Sequence, residues 1–225
     1  MCSKEQVRCI AMSEQQQGGK KMNKNHASAE GAARSGGVKR LVGTAILTAL
    51  VIVLQLLGSM IRIGTYPLSF VLVPIVIGAA VYGAGTGAFM GFVFSAVVAV
   101  ATITGADQGA FIMWTANPVM TLVVIFAKGT LAGWISGLVY RAISRRSVYG
   151  GVLVSAAICP IVNTGIFCLA MLTFFREILA QWAGGSDLVT YTLLSLAGIN
   201  FLLEFGVNIL LGPVIVRILK AVRLA

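Results

Sequence analysis

Charge is scarce in this chain. Aspartate, glutamate, lysine and arginine make up 11% of its 225 residues, while 58% are hydrophobic. A soluble globular domain carries about a quarter charged residues, so that class is excluded and a polytopic membrane protein fits. Histidine is almost absent: His26 is the only one, and it precedes the first apolar segment. Ser–His hydrolysis or zinc chemistry inside the apolar part would therefore lack its base and its ligands. No GxxxxGK[ST] phosphate loop occurs, which excludes the usual ATP hydrolysis. The glycine cluster Gly83-Ala-Gly85-Thr-Gly87 lacks the following lysine and lies between two apolar segments. Glu204 is the one acidic residue within those segments, so no carboxylate pair is offered for acid–base catalysis. Cys2 and Cys9 lie in the tail, and Cys159 and Cys168 in an apolar segment. They form no disulfide or metal framework and read as small packing residues. No inverted repeat of the kind common in self-sufficient transporters is visible. The expectation is a protein that is not an enzyme and uses no cofactor or metal.

What charge there is carries information by its position. A net charge of +10 raises the question of nucleic acid, but the basic residues mark one side of a membrane instead. Lys4, Arg8, Lys20, Lys21, Lys24, Arg34, Lys39 and Arg40 precede the first apolar segment. Arg141, Arg145 and Arg146 share one link, and Arg217, Lys220 and Arg223 close the sequence. Residues 1–37, rich in Gly, Ser, Gln and Lys without apolar periodicity, read as a disordered basic cytoplasmic tail.

Residues 38–225 read as one domain of six transmembrane helices. The segments are Leu41–Ile61, Pro67–Gly83, Gly87–Thr104, Pro118–Tyr140, Gly150–Phe175 and Tyr191–Arg217. The second and third, at roughly 17–18 residues, are near the lower limit for crossing ~30 Å of hydrocarbon. Six crossings leave both termini in the cytoplasm, with only Arg62 and Arg176 as basic residues of the outer links, as the positive-inside rule requires.

Within the sixth segment, Asn200, Glu204 and Asn208 recur at intervals of four and share one helical face. A carboxylate facing lipid at that depth costs several kcal/mol, so this stripe must face protein, water or a ligand. Lys128 lies at a similar depth in the fourth segment. One reading makes Lys128 and Glu204 a structural ion pair. The other gives one or both to a polar solute, because buried pairs contribute little net stability after desolvation. Asn163 adds a carboxamide at similar depth, three residues after Pro160, which locally disturbs its helix. Asn117, Thr121 and Gln55 lie nearer the outer ends, and Trp114 and Trp182 in the outer links serve either as interfacial belt residues or as a lid. Singly, each polar residue is an ordinary interhelical hydrogen-bond partner; as a set they suggest a site open to the outside. Ala45 and Ala49 in the first helix, and Gly129, Gly133 and Gly137 in the fourth, have the spacing that lets helices approach closely.

Residues 38–223 resemble the substrate-binding S components of energy-coupling factor (ECF) vitamin transporters. The resemblance rests on the six short helices, the basic cytoplasmic N-terminus, Ala45-xxx-Ala49, and four phrases. These are Val73-Pro-Ile-Val-Ile-Gly78, Tyr82-Gly-Ala-Gly-Thr-Gly-Ala-Phe-Met-Gly91, Lys128-Gly-Thr-Leu-Ala-Gly133 and Asn200-Phe-Leu-Leu-Glu204. It implies a plasma-membrane protein that binds a water-soluble vitamin from outside. It also implies association with a transmembrane coupling protein and two ATPase subunits, and toppling in the bilayer to release the vitamin inside. The Ala45/Ala49 face would meet the coupling protein. Substrate would sit among helices four to six, which with the depth of the polar residues points to Trp114, Asn117, Lys128, Asn163, Asn200 and Glu204. Asn117-Pro118 and the Lys128 phrase look most like the pantothenate-type and riboflavin-type members, pantothenate slightly ahead. Two other classes stay open: a structural or assembly membrane protein without transport, and a small solo carrier.

Overall fold

The computed structural model describes residues 37–58, 62–63, 66–67, 71–196 and 198–224. The tail expected to be disordered and the last residues of the first segment, 59–61, lie outside the described residues. The chain divides into residues 1–43 and 44–225. Of the first part, residues 37–43 are the opening turns of a helix; the packing below is that of the second.

Helix α1 runs over Gly37–Gly58. A hairpin of two-residue strands follows, β1 (Arg62–Ile63) and β2 (Tyr66–Pro67), antiparallel with Ile63 opposite Tyr66. Then come α2 (Leu72–Tyr82), α3 (Ala84–Ile103), α4 (Gln108–Ala116), α5 (Pro118–Ile143) and α6 (Val148–Thr173). The chain ends in α7 (Arg176–Ala183), α8 (Leu188–Tyr191), a π-helical stretch at Thr192–Leu196, α9 (Gly198–Leu210) and α10 (Gly212–Leu224). Four of these, α1, α3, α5 and α6, are long and apolar enough to cross a membrane, and α9 with α10 makes a fifth if the bent pair is one span.

Two of the six expected segments take another form. The second is an eleven-residue helix, α2, about 16 Å long at 1.5 Å per residue. It ends at Gly83, whose φ of 99° serves as the turn into α3; a side chain would be strained there. Every residue from Leu72 to Ala80 is buried, so α2 is a core helix with protein on all sides. The sixth segment is broken. Its helix opens with a π-helical stretch and bends by 41° between Leu210 and Gly212. Pro213 accounts for the bend, since it lacks an N–H and its ring displaces the carbonyl four residues back. Gly212 sits so close to α6 that an added Cβ would lie 2.9 Å from Leu153 Cδ2. The longer links are not plain loops but carry α4, α7 and α8, of which α4 and α8 are started by a local side-chain cap. Asp107 Oδ1 accepts the Ala110 N–H at 3.1 Å. Asp187 Oδ2 accepts both the N–H and the hydroxyl of Thr190 at 2.9 Å, and these bonds hold its carboxyl below the usual carboxylate range.

The core is organised by α5, which packs along both α3 and α6. Against α3 the contact is a ladder of small residues. An added Cβ on Gly133 would overlap the Gly87 carbonyl oxygen, and one on Gly129 would meet the Gly91 carbonyl oxygen and Ser95 Oγ. One on Gly137 would press into Ala84. The ladder continues upward as a polar rung: Ser95 Oγ lies 2.8 Å from the Ile125 carbonyl oxygen. On the other side, α1 contributes Leu47, Val51 and Leu54 to a cluster with Ile75, Val76, Met90, Phe94, Cys159 and Ile215. A second, smaller cluster of Met113, Val124, Met171, Phe175 and Leu179 closes the end that carries α4 and α7.

Gly133→Val is expected to destabilise the protein by about 1–3 kcal/mol or more, the range for overpacking a filled contact. Gly85→Ala, where nothing lies within 4 Å of the new Cβ, is expected to add about 0.5–1 kcal/mol. Thermal unfolding of both variants in detergent checks the contrast; equal effects would mean that α3 and α5 are not in backbone contact.

Candidate functional site

Two regions bury the charged residues of the described bundle, Asp107 with Lys128 in one and Glu204 in the other. One is the junction of α3, α4, α5 and α6, where a cavity of about 20 Å³ is lined by Val98, Asp107, Ala110, Met113, Thr121, Val124, Ile125, Lys128 and Phe167. That volume holds one water and nothing larger. Lys128 stems from α5, and side chains on a helix lean toward its N-terminus, which here is the end carrying α4. Its Nζ stands 5.3 Å from the centroid of the Phe167 ring, within cation–π range. The Asp107 carboxylate belongs to the wall of the same cavity.

The second place is the seam between α6 and α9. Helix α6 packs along α9 and, where Gly212 lies against Leu153, along α10. Glu204 is 7% exposed, Asn163 7% and Asn208 1%. Asn208 Nδ2 donates to the Glu204 carbonyl oxygen at 2.8 Å, but its Oδ1 has no hydrogen-bond partner. Asn163 Oδ1 and Ser155 Oγ on α6 are likewise buried and unsatisfied. Each such group forfeits the water it left, at about 1–3 kcal/mol. Bringing several of them together is a poor way to build a stable bundle and a good way to receive a polar solute.

The residues singled out by sequence divide accordingly. Glu204 is buried on α9 and Asn163 on α6, two helices that pack together; Lys128 lines one small cavity with Asp107. Asn200 belongs to α9, but its side chain lies outside the described residues. Asn117 is exposed and caps α5, its Oδ1 accepting the Met120 N–H at 3.1 Å. Thr121 turns its hydroxyl back to the Asn117 carbonyl oxygen at 2.9 Å. Trp114 is half-buried on α4, and Trp182 packs on the cluster of Met171, Phe175 and Leu179. Gln55 on α1 is buried with Oε1 unsatisfied. Ala45 and Ala49 are exposed, on a helix whose Leu41, Ile46, Val53, Leu56 and Leu57 are exposed as well. A larger open cavity of about 590 Å³ lies where Ala116 and Asn117 face Thr173–Ile178, Ala180 and Leu188. Among the described residues no group of three or more His, Cys, Asp or Glu is placed to hold a metal ion.

Asp107 is the residue the sequence reading missed. It was assigned to an outer link, yet it is only 7% exposed. The signal was present: an aspartate directly before Gln108-Gly-Ala-Phe is an N-cap pattern, and a cap fixes the carboxylate to a helix instead of leaving it in solvent.

Several apolar spans around a polar interior define a multi-pass membrane protein. Residues 39–216 match the family model described as "ECF transporter, substrate-specific component", and the chain belongs to that family. It is therefore the substrate-binding component of a transporter, not an enzyme. No curated protein and no solved structure matches the chain.

Asn163→Leu is expected to leave the ligand-free protein as stable as wild type or to stabilise it, because it removes an unsatisfied buried oxygen at similar volume. Loss of several degrees in thermal unfolding would show instead that Asn163 holds the helices together.

Proposed function

We propose that the protein captures a water-soluble vitamin from outside the cell and delivers it to the cytoplasm together with an ATP-driven coupling module. The module would comprise a transmembrane coupling protein and two ATPase subunits, and the setting would be the plasma membrane. Family membership supports the transport role. The observation that carries the placement of the site is the packing of α6 on α9, where Asn163 Oδ1 is buried and unsatisfied on one helix and Glu204 is buried on the other. A ligand rich in O–H and N–H donors would meet such acceptors. The ligand site is assigned to Asn163, Asn200 and Glu204, with Lys128 on its outer wall, Trp114 above it on α4 and Asn117 at the joint of α4 and α5. Pantothenate and riboflavin both offer suitable donors and are separated by Lys128. A free ammonium would favour the carboxylate of pantothenate, and one held by protein carboxylates would favour a neutral ring.

Six crossings with both termini inside remain the topology we favour. The exposed Arg141 lies in the last turn of α5, the exposed Arg145 and Arg146 follow it, and the exposed Arg217 lies in α10. Two crossings, α6 and the α9–α10 pair, separate them, so they share a side, which the positive-inside rule makes the cytoplasmic one. Helix α2 supplies the sixth crossing despite its length, because its burial removes the need to match the lipid. The small, exposed Ala45 and Ala49 offer the coupling protein a surface for close approach.

Native mass spectrometry of protein purified in mild detergent from rich medium is expected to show one retained vitamin of defined mass, and that vitamin is expected to raise the unfolding temperature. An empty protein with no shift across a vitamin panel would return weight to a structural or assembly role. Ala45→Trp and Ala49→Trp are each expected to abolish assembly with the coupling protein while vitamin binding survives. Normal co-purification of the coupling protein with either variant would remove that face from consideration.

A further inference from the structure

The joint between α4 and the rest of the bundle is thinly built. Of the nine residues of α4, only Gly109, Ala110 and Met113 are buried; Phe111 and Ile112 are 39% and 40% exposed. Both its ends leave helical geometry. Gly105 just before it has φ 75°, and Asn117 after it is extended at φ −151°, leading into Pro118. Apolar packing of that extent gives little resistance to local opening. Against this weak packing stands one strong element. Asp107 is 7% exposed, caps α4 through the Ala110 N–H, and lines the same 20 Å³ cavity as Lys128. Lys128 in turn lies over the Phe167 ring of α6. Asp107 of the α4 cap, Lys128 of α5 and Phe167 of α6 thus meet at the wall of one small cavity.

We propose that Asp107 is a positioning residue whose carboxylate, acting on Lys128, clasps α4 and its Trp114 over the ligand site, so that Lys128 serves the closure of the site and not the charge of the ligand. The cavity that the two residues share is too small for any ligand atom group beyond a water, which places Lys128 behind the wall of the site. The inference rests on the transport reading for the ligand's existence, but not for the clasp itself. It also bears on the choice between vitamins: a lysine engaged in this way leaves a carboxylate-bearing ligand no advantage over a neutral one.

The test uses full-length protein in nanodiscs as wild type, Asp107→Asn, Lys128→Met and the double variant Asp107→Asn with Lys128→Met. Asparagine caps a helix as well as aspartate does, so Asp107→Asn removes the charge and keeps α4 started. The first readout is amide hydrogen exchange of residues 108–116 without ligand. Asp107→Asn and Lys128→Met are each expected to raise it about tenfold or more, and the double variant to raise it no further than either single one, since the members of one charge pair are non-additive. The second readout is dissociation of pantothenate and of riboflavin, whichever binds wild type. Both single variants are expected to speed it about tenfold while association changes little. Unchanged exchange of α4 in Asp107→Asn overturns the clasp even if the double variant does not fold. Loss of pantothenate binding in Lys128→Met with α4 exchange unaltered overturns it too, and makes Lys128 a ligand contact. Wild type that binds neither vitamin counts against the transport reading alone, because the exchange measurement still decides the clasp.

Discussion

Two helices can share a backbone-to-backbone contact only where neither has a side chain in the way, and the rest of this bundle depends on that contact between α3 and α5. Gly87 and Gly91 face Gly133 and Gly129, with Ala84 against Gly137 and Ser95 reaching the Ile125 carbonyl oxygen. In lipid there is no hydrophobic effect to press helices together, so dispersion at short range and a few interhelical hydrogen bonds must suffice. The ladder supplies both. It also fixes α5 as the central element, and α5 carries Lys128 on the flank turned toward α6.

The division of labour follows from this placement. The α3–α5 contact is dry and closely fitted along its length. The α6–α9 seam is the reverse: its helices bury Glu204 and two carboxamides whose oxygens are unmatched, Pro160 lies within α6, and α9 lies between a π-helical stretch and a proline bend. Irregular backbone within a membrane bundle is tolerated where it lines protein or a cavity, and π-helical turns are often retained at functional sites. A rigid half thus supports an adjustable one, and a solute site benefits from both, since the first fixes geometry and the second leaves polar groups available.

Much of this was readable in the sequence, and the failures have physical causes. Hydropathy located α1, α3, α5 and α6 because each is long and apolar enough to stand alone in a bilayer. The stripe of Glu204 and Asn208 was correctly placed on a buried face, because periodicity of four survives any helix packing. The length of α2 was overestimated, since burial inside protein and burial in lipid select the same apolar residues. The bend at Gly212-Pro213 was written in the sequence but lost in an otherwise continuous apolar run. Asn117 illustrates a different limit: a carboxamide before a proline is an N-cap as much as a ligand contact, and its backbone geometry assigns it to the cap. Asp107 lies between segments and is legible only through its capping geometry, so the carboxylate that shares a cavity with Lys128 went unnoticed while Glu204 was found.

The burial of α2 has a consequence for how the molecule is made. Helix α1, with only 17% of its apolar window buried, has the length to enter a bilayer unaided as it is synthesised. Helix α2 emerges next, too short to be held by lipid, and almost everything that covers it lies later in the chain: Met90 of α3, Gly133 of α5, Val152 of α6 and Ile215 of α10. Its place is therefore secured only when those helices arrive. Biogenesis of this protein is a matter of waiting: the second described helix to be synthesised is among the last to be settled, and α10 completes a pocket for a segment that left the ribosome more than a hundred residues earlier.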